Sequence, residues 1–212
     1  MNILEKGLEE LGLTVSEEQV KAFTLFANEL RKWNSKINLT SITTLEEITV
    51  KHFIDSLAVA KYINPCGNLL DIGSGGGFPS IPLKILYPDL QVISVDAVGK
   101  KINFQKHMSR VLGFRDFKAM HSRVEALSPE YDGYFQRIIS RAFSDINMFA
   151  SVSYRLLIEN GTIIAMKGRD GRREAGAAEA ELVKFNLAIK SIEEYHLPMV
   201  KDERSVITLA KM

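Results

Sequence analysis

The stretch Asn68-Leu69-Leu70-Asp71-Ile72-Gly73-Ser74-Gly75-Gly76-Gly77-Phe78-Pro79-Ser80 constrains the fold more than any other. Leu69, Leu70 and Ile72 read as a buried strand. Gly73, Gly75 and Gly77 then let the backbone turn sharply and approach a ligand with no Cβ in between. Pro79 suits a first helical turn, and Ile81, Leu83, Ile85 and Leu86 supply an apolar helical face. Strand, loop and helix in this order predict a helix N-terminus with free N–H groups, a receptor for a polar or anionic small-molecule group. A dinucleotide fingerprint needs G-x-G-x-x-G, whose third glycine lets helix and strand pack closely. Here the spacing is G-x-G-x-G and Phe78 takes the third-glycine position, which argues against a dinucleotide.

At 212 residues, 46% of them hydrophobic, the chain can bury one full domain with a small extension. A net charge of +1 excludes a broadly cationic nucleic-acid coat but leaves room for a local patch. The single cysteine, Cys66, cannot form an internal disulfide and reads as a small buried hydrophobe, which suits a reducing cytoplasm. No segment has transmembrane length and the N-terminus lacks a signal-peptide core, so a cytoplasmic protein is expected. Four scattered histidines and one cysteine form no zinc-like cluster, and no metal is expected.

The N-terminal residues read as helical. Ser16-Glu17-Glu18-Gln19 is a capping box ahead of Val20, Phe23, Phe26, Leu30 and Trp33, predicting a helix from Ser16 to Lys36. A shorter helix from Met1 to Leu11 precedes it, ended by Gly12. A third starts near Thr43-Thr44-Leu45-Glu46-Glu47 and runs towards Tyr62, with His52 and Asp55 spaced for a hydrogen-bonded pair. Asn34 and Asn38, four apart, read either as a polar rim beside a ligand or as a helix C-cap and turn. Residues 1–66 are therefore expected to cap a second unit, 67–212, within one compact whole.

From there strands alternate with helices: strands at Asn68–Ile72, Gln91–Asp96, Phe117–His121, within Gly133–Ser140 and at Gly161–Met166, with helices at Gly99–Leu112, Asn147–Ile158 and Arg172–Asn186. Two last strands, Leu187–Tyr195 and Arg204–Ala210, lack room for a crossover helix and should pair antiparallel. The alternation implies a mostly parallel sheet covered on both faces.

In such a sheet ligands lie beyond the carboxyl ends of the strands. Asp96 ends the second strand at the distance where an acidic side chain can accept ribose hydroxyls, its plain alternative being a helix N-cap. Ser122-Arg123-Val124-Glu125-Ala126 follows the third strand, either along an adenine edge or as a simple loop. After the fourth come Ser140-Arg141-Ala142-Phe143, where Arg141 offers a fixed cation to phosphate or carboxylate. No Asn/Asp-Pro-Pro-aromatic tetrapeptide stands there, and no cysteine that could add to a pyrimidine. After the fifth, Lys167-Gly168-Arg169-Asp170-Gly171-Arg172-Arg173 carries four cations in seven residues, suited to an RNA backbone or to solvent.

The D-x-G-x-G-x-G run at Asp71 to Gly77 resembles motif I of class I S-adenosylmethionine-dependent methyltransferases. Trp33-Asn34 with Asn38-Leu39-Thr40, His52-Phe53-Ile54-Asp55-Ser56, Asp71 to Pro79, Asp96 with Gly99-Lys100-Lys101, Ser122 to Glu125, Ser140-Arg141-Ala142 and Lys167-Gly168 together resemble the RsmG (GidB) family over nearly the whole chain. Ser80 departs from it, standing where the family usually has another glycine. The resemblance implies a doubly wound, Rossmann-like α/β fold: a mostly parallel seven-stranded sheet with an antiparallel C-terminal strand and a helical N-terminal extension. It implies S-adenosylmethionine as methyl donor and N7 of guanine 527, in the 530 loop of bacterial 16S rRNA, as acceptor. Gly73, Phe78, Asp96, Ala97, Val98, Val124, Glu125 and Arg141 would contact the cofactor, beside Gly75 and Gly77 of the loop. Asn34, Asn38, Lys100, Lys167 and Arg169 would face the RNA, with Arg141 and Lys167 positioning the reactants and no general base. Guanine N7 has a lone pair and no proton, so Arg141 should be paired with an anion to spare the forming cation. Another RNA, a small metabolite, or a non-catalytic ribosome-assembly role are the alternatives.

Overall fold

The computed structural model describes residues 3–141, 143 and 145–212. Met1, where the first helix was expected to begin, and Ala142 of the Ser140-Arg141-Ala142 motif lie outside the described residues. Among those described, seven strands form one sheet in the order β3-β2-β1-β4-β5-β7-β6. They are β1 (Asn68–Ile72), β2 (Gln91–Asp96), β3 (Phe117–His121), β4 (Phe135–Ser140), β5 (Leu157–Lys167), β6 (Leu187–His196) and β7 (Glu203–Lys211). The first five pair in parallel, and β7 runs antiparallel between β5 and β6.

Adjacent strand residues point to opposite faces, so one pleat feeds two cores. Leu69, Ile139 and Ile164 join one apolar cluster, and Leu70, Ile138 and Ile163 the other. Helices α5 (Ser80–Leu86) and α6 (Gly99–Val111) cover the first face, and α7 (Ile146–Ser153) and α8 (Gly171–Leu182) the second. Helices α1 (Ile3–Glu10) and α2 (Glu17–Ile37) add a layer on the first face, where Phe23, Phe26 and Leu30 share the core with Leu69 and Phe104. The Ser16 capping box forms as its residues dictate: Gln19 N donates to Ser16 Oγ while Ser16 N donates to the Gln19 side chain.

Three expectations need correcting. The third helix is not continuous: α3 (Leu45–Ile48) and α4 (Asp55–Leu57) flank a π-helical turn over Thr49–Ile54, which widens the helix and alters how side chains project. The helix read over Asn147–Ile158 ends at Ser153, and Leu157 already belongs to β5. Leu156, Leu157 and Ile158 are apolar in either period, and β5 carries a register shift opposite Phe135–Arg137 that masks its alternation. Cys66 is exposed, because Pro65-Cys66-Gly67 lies in the turn before β1 and on no packed face.

Candidate active site

The glycine loop leaves β1 and folds back on itself. Gly73, Gly75 and Gly77 all take positive φ, at 70°, 57° and 89°. Gly73 N donates to Val95 O at 2.8 Å, and Gly77 N and Phe78 N both donate to Ser74 O. Asp71 lies beneath, wholly buried, and its Oδ2 accepts from Ser80 N at 3.2 Å. The helix start is therefore not the open anion receptor expected of it: Asp71 takes the Ser80 N–H, Ile81 N donates to Gly77 O, and Pro79 and Pro82 have no N–H. Burial pushes the Asp71 carboxyl up to about 7, against the pull of the Ser80 hydrogen bonds and the Arg141 charge.

Two further groups hold the loop. Asp96 accepts from Gly75 N through Oδ2 and from Val98 N through Oδ1, both at 2.8 Å. Behind it Gln105, fully buried on α6, donates to Gly75 O at 2.8 Å and Ser74 Oγ at 2.7 Å and accepts from Ser94 Oγ at 2.5 Å. A Gln105→Leu variant leaves Ser74, Ser94 and Gly75 short of partners in a dry interior. It should lose about 2–3 kcal/mol in urea unfolding, and an unchanged midpoint would show that the loop is held without it.

A cavity of about 310 Å³ opens at the ends of β1, β2 and β3. Gly73, Asp96, Ala97, Val124 and Glu125 line it, five of the residues expected at the cofactor. Ile72, Val95, Ser122, Arg123, Phe143 and Met148 complete it. A Cβ on Gly75 would meet nothing within 4 Å, whereas one on Gly77 would strike Ile81 at 2.3 Å. Gly75 thus faces open space and Gly77 serves internal packing. Phe78 is buried, stacked on His52 at 4.3 Å and on Phe26 at 5.3 Å. Val98 is exposed and does not line the cavity.

A second cavity, about 340 Å³, lies at the ends of β4 and β5. Arg141, Lys167, Arg204, Lys51, His52 and Asp55 surround it, with Tyr195 across from them. Asp55 is buried between two arginines: Oδ2 accepts from Arg141 Nη1 at 3.1 Å and Oδ1 from Arg204 Nε at 3.0 Å. Arg141 is thus paired with a carboxylate, as expected. It also donates to Lys51 O and to His52 Nδ1, and its guanidinium lies 5.2 Å from the Phe78 ring centroid. Because arginine can only donate, His52 accepts at Nδ1, so its Nε2–H donates to Thr40 Oγ1 at 2.9 Å. Burial, helped by Arg141, holds His52 down at about 3, so the ring is neutral. Lys167 is buried, donating to Phe143 O at 2.9 Å and to Glu174 at 2.5 Å. Burial also keeps the Tyr195 hydroxyl protonated far above its usual range.

The direct His52–Asp55 bond expected from spacing does not form; Arg141 bridges the two instead. Asn34 stands further back. Its amide donates to Thr40 O and accepts from Thr40 N, both at 2.9 Å, while Asn38 is the left-handed C-cap of α2. The C-cap and turn alternative describes this corner, and through it Asn34, Thr40 and His52 form a hydrogen-bonded chain to Arg141. Lys100 and Arg169 are exposed, Arg169 lying 3.9 Å from Glu203.

A glycine loop and an acidic strand end, set at the carboxyl edge of this sheet order, define a class I, Rossmann-like methyltransferase fold. Solved structures share it at low identity. A 1,6-didemethyltoxoflavin-N1-methyltransferase of Burkholderia thailandensis superposes with TM-score 0.60 at 12% identity, covering 94% of this chain and 92% of its own. A 16S rRNA (adenine(1408)-N(1))-methyltransferase of Catenulisporales acidiphilia gives 0.57 at 11%, covering 69% and 85%. The chain belongs to the GidB family, rRNA small subunit methyltransferase G, whose model matches residues 19–207. The ribosomal RNA small subunit methyltransferase G of Geobacter sulfurreducens is 51% identical over 98% of this chain and 95% of its own. That of Halalkalibacterium halodurans is 36% identical over 96% and 87%.

Proposed function

We propose that this protein transfers the methyl group of S-adenosylmethionine to N7 of guanine 527 in the 530 loop of 16S rRNA. The substrate is RNA held in a 30S subunit or an assembly intermediate in the cytoplasm, with neither DNA nor a membrane as partner. One observation carries the reading: along one sheet edge the cavity at β1, β2 and β3 is followed by the cation-lined one at β4 and β5, and Lys167 of the second donates to the carbonyl of Phe143, which lines the first. The first is largely apolar with Asp96 and Glu125 on its wall; the second is ringed by Arg141, Lys167, Arg204 and Lys51.

The residues present fit the donor. Each Asp96 oxygen accepts one N–H and keeps capacity for a ribose hydroxyl, and Gly75 leaves open the space that a side chain would fill. Bound there, the donor supplies an electrophilic methyl on a sulfonium. The guanine N7 lone pair forms the new N–C bond as the S–C bond breaks and its electrons return to sulfur. No proton moves, in keeping with a site whose histidine is neutral and engaged at both nitrogens. What the protein supplies is alignment and exclusion of water. Asp55 offsets the Arg141 charge, so the cleft can hold RNA phosphate without opposing a guanine that becomes cationic. Residues 1–66 act in this reading as a cap on the unit 67–212, with Asn34 reaching the cleft through Thr40 and His52.

Incubation with unmodified 30S subunits and labelled donor, followed by mapping of the modified nucleotide, tests the reading. Label should fall on a single guanine N7, and Asp96→Ala should raise the KM for the donor about tenfold or more. Transfer by Asp96→Ala at the wild-type rate would show that the donor sits elsewhere. Turnover on a small molecule without RNA would favour a metabolite methyltransferase.

A further inference from the structure

Two basic segments of this chain differ in whether their cations are already neutralised. After β5, where the basic loop suits either an RNA backbone or solvent, every cation is opposed: Lys167 by Glu174, Arg169 by Glu203, Arg172 by Glu194 and Arg173 by Asp170. Along α6 the opposite holds. Lys100, Lys101, Lys106 and Arg110, with Arg115 just beyond, make no ion pair among the described residues. Glu29, the carboxylate packed against this helix, is already taken by His107 at 2.6 Å and Lys32 at 3.4 Å.

Two of these unpaired cations, Lys106 and Arg110, line a groove of about 460 Å³ together with Trp33, Asn103, Ser109 and Phe117. Trp33 is half-buried, propped by Phe104 at 5.5 Å and His107 at 5.0 Å. Phe117 begins β3, an edge strand of the sheet. Lys106 and Arg110 stand one turn apart on α6, roughly 10 to 16 Å along the helix from Gly99 at the cofactor edge. A concave site with aromatic walls, two free cations and amide and hydroxyl groups is suited to stacking a base and holding its phosphate.

We infer that this groove binds single-stranded RNA flanking the acceptor nucleotide, with a base against Trp33 and phosphate on Lys106 and Arg110. The inference rests on the RNA methyltransferase reading and adds to it a docking site outside the catalytic cleft. It explains how a chain of net charge +1 can hold RNA: unpaired cations gather along α6 and at Arg115, while those of the loop after β5 are opposed.

Trp33 is the single tryptophan of the chain, so its emission reports on the groove alone. Titration with an unmodified RNA hairpin carrying the acceptor loop should quench it, while S-adenosylmethionine alone should not. Lys106→Gln/Arg110→Gln, altering exposed and unpaired side chains, should abolish the quenching and raise the RNA Kd about tenfold. The slope of log K against log salt should fall by about 1.4, two phosphate contacts on a single strand. Affinity for S-adenosylmethionine should stay at the wild-type value. Arg172→Gln/Arg173→Gln, the same charge change at opposed cations, should shift the Kd less than threefold. Equal effects of the two pairs, or RNA binding and methylation with Trp33 emission unchanged, would overturn the site. Quenching by 30S particles but never by RNA would overturn it in favour of a ribosomal protein. A wild-type protein that binds the hairpin but methylates no RNA, free or in 30S, would instead overturn the functional reading itself.

Discussion

Replacing Asp55 by alanine is expected to cost about 2–4 kcal/mol of stability and to reduce methyl transfer at least about 100-fold. Asp55 is 5% exposed and each of its oxygens serves a different arginine. Removing one partner from a buried ion pair costs about 3–5 kcal/mol; the lower figure applies because the Arg141 and Arg204 side chains are each 24% exposed and can turn towards water. The activity loss has a separate origin. Without Asp55 the cleft presents an unopposed Arg141 guanidinium, beside an Arg204 that keeps only Asp202 at 3.4 Å, to a reaction whose donor and product are both cationic, and Arg141 loses one of the bonds that fix its plane. Thermal unfolding and single-turnover transfer on 30S subunits, measured on the same preparation, separate the two effects. A destabilised variant that transfers methyl at the wild-type rate well below its unfolding temperature would remove Arg141 from the chemistry.

The same cleft shows where sequence reasoning reaches and where it stops. The parallel strands were legible because their apolar runs are short and bounded by turns, and Asp96 and Val124–Glu125 because a parallel strand delivers its last residue and the loop that follows to the ligand edge. Arg204 was not legible for the converse reason. β7 runs antiparallel to β5, with Ser205 opposite Lys167, so it delivers its first residues to that edge, and reading only strand ends misses them. Knowing that the last strand pairs antiparallel was signal enough to look at Arg204, had the rule been inverted for it. His52 and Asp55 were paired by α-helical spacing, which the π turn over Thr49–Ile54 invalidates; no residue type in that turn announces the extra residue. Phe78 was read by elimination as the residue that excludes a dinucleotide. Its stacking between His52 and Phe26 depends on α2 arriving from some fifty residues earlier, which no local pattern encodes.

The second large effect is a pair of opposed pH dependences that cancel in the wild type. Asp71 has its carboxyl raised to about 7 when folded, from 3.8. Between those values the folded chain keeps a proton that the unfolded chain has released, so stability falls as pH rises, by about 1.4 kcal/mol per unit, and levels off above 7. His52 is lowered to about 3 from 6.5. Between those values the unfolded chain binds a proton that the folded chain refuses, so stability falls as pH drops, at the same slope. Over pH 4 to 6.5 the two slopes oppose one another. Asp71→Asn removes the first, so its stability relative to wild type should fall as the medium is acidified from pH 6.5 to 4, by about 3 kcal/mol at most. The same variant should gain most over wild type above pH 7, where a carboxylate with one unpartnered oxygen is no longer buried in charged form. His52→Gln should behave oppositely, gaining on wild type as pH falls through the same window, whatever constant cost comes from losing the ring stacked on Phe78. The groups facing these two, Arg141 and Asp96, are common to all three proteins, as are the exposed carboxylates, so differences between unfolding curves isolate the two residues. If both variants track the wild type from pH 4 to 7, then Asp71 is ionised in the folded chain and the glycine loop sits on a buried charge that Ser80 and Arg141 fully offset.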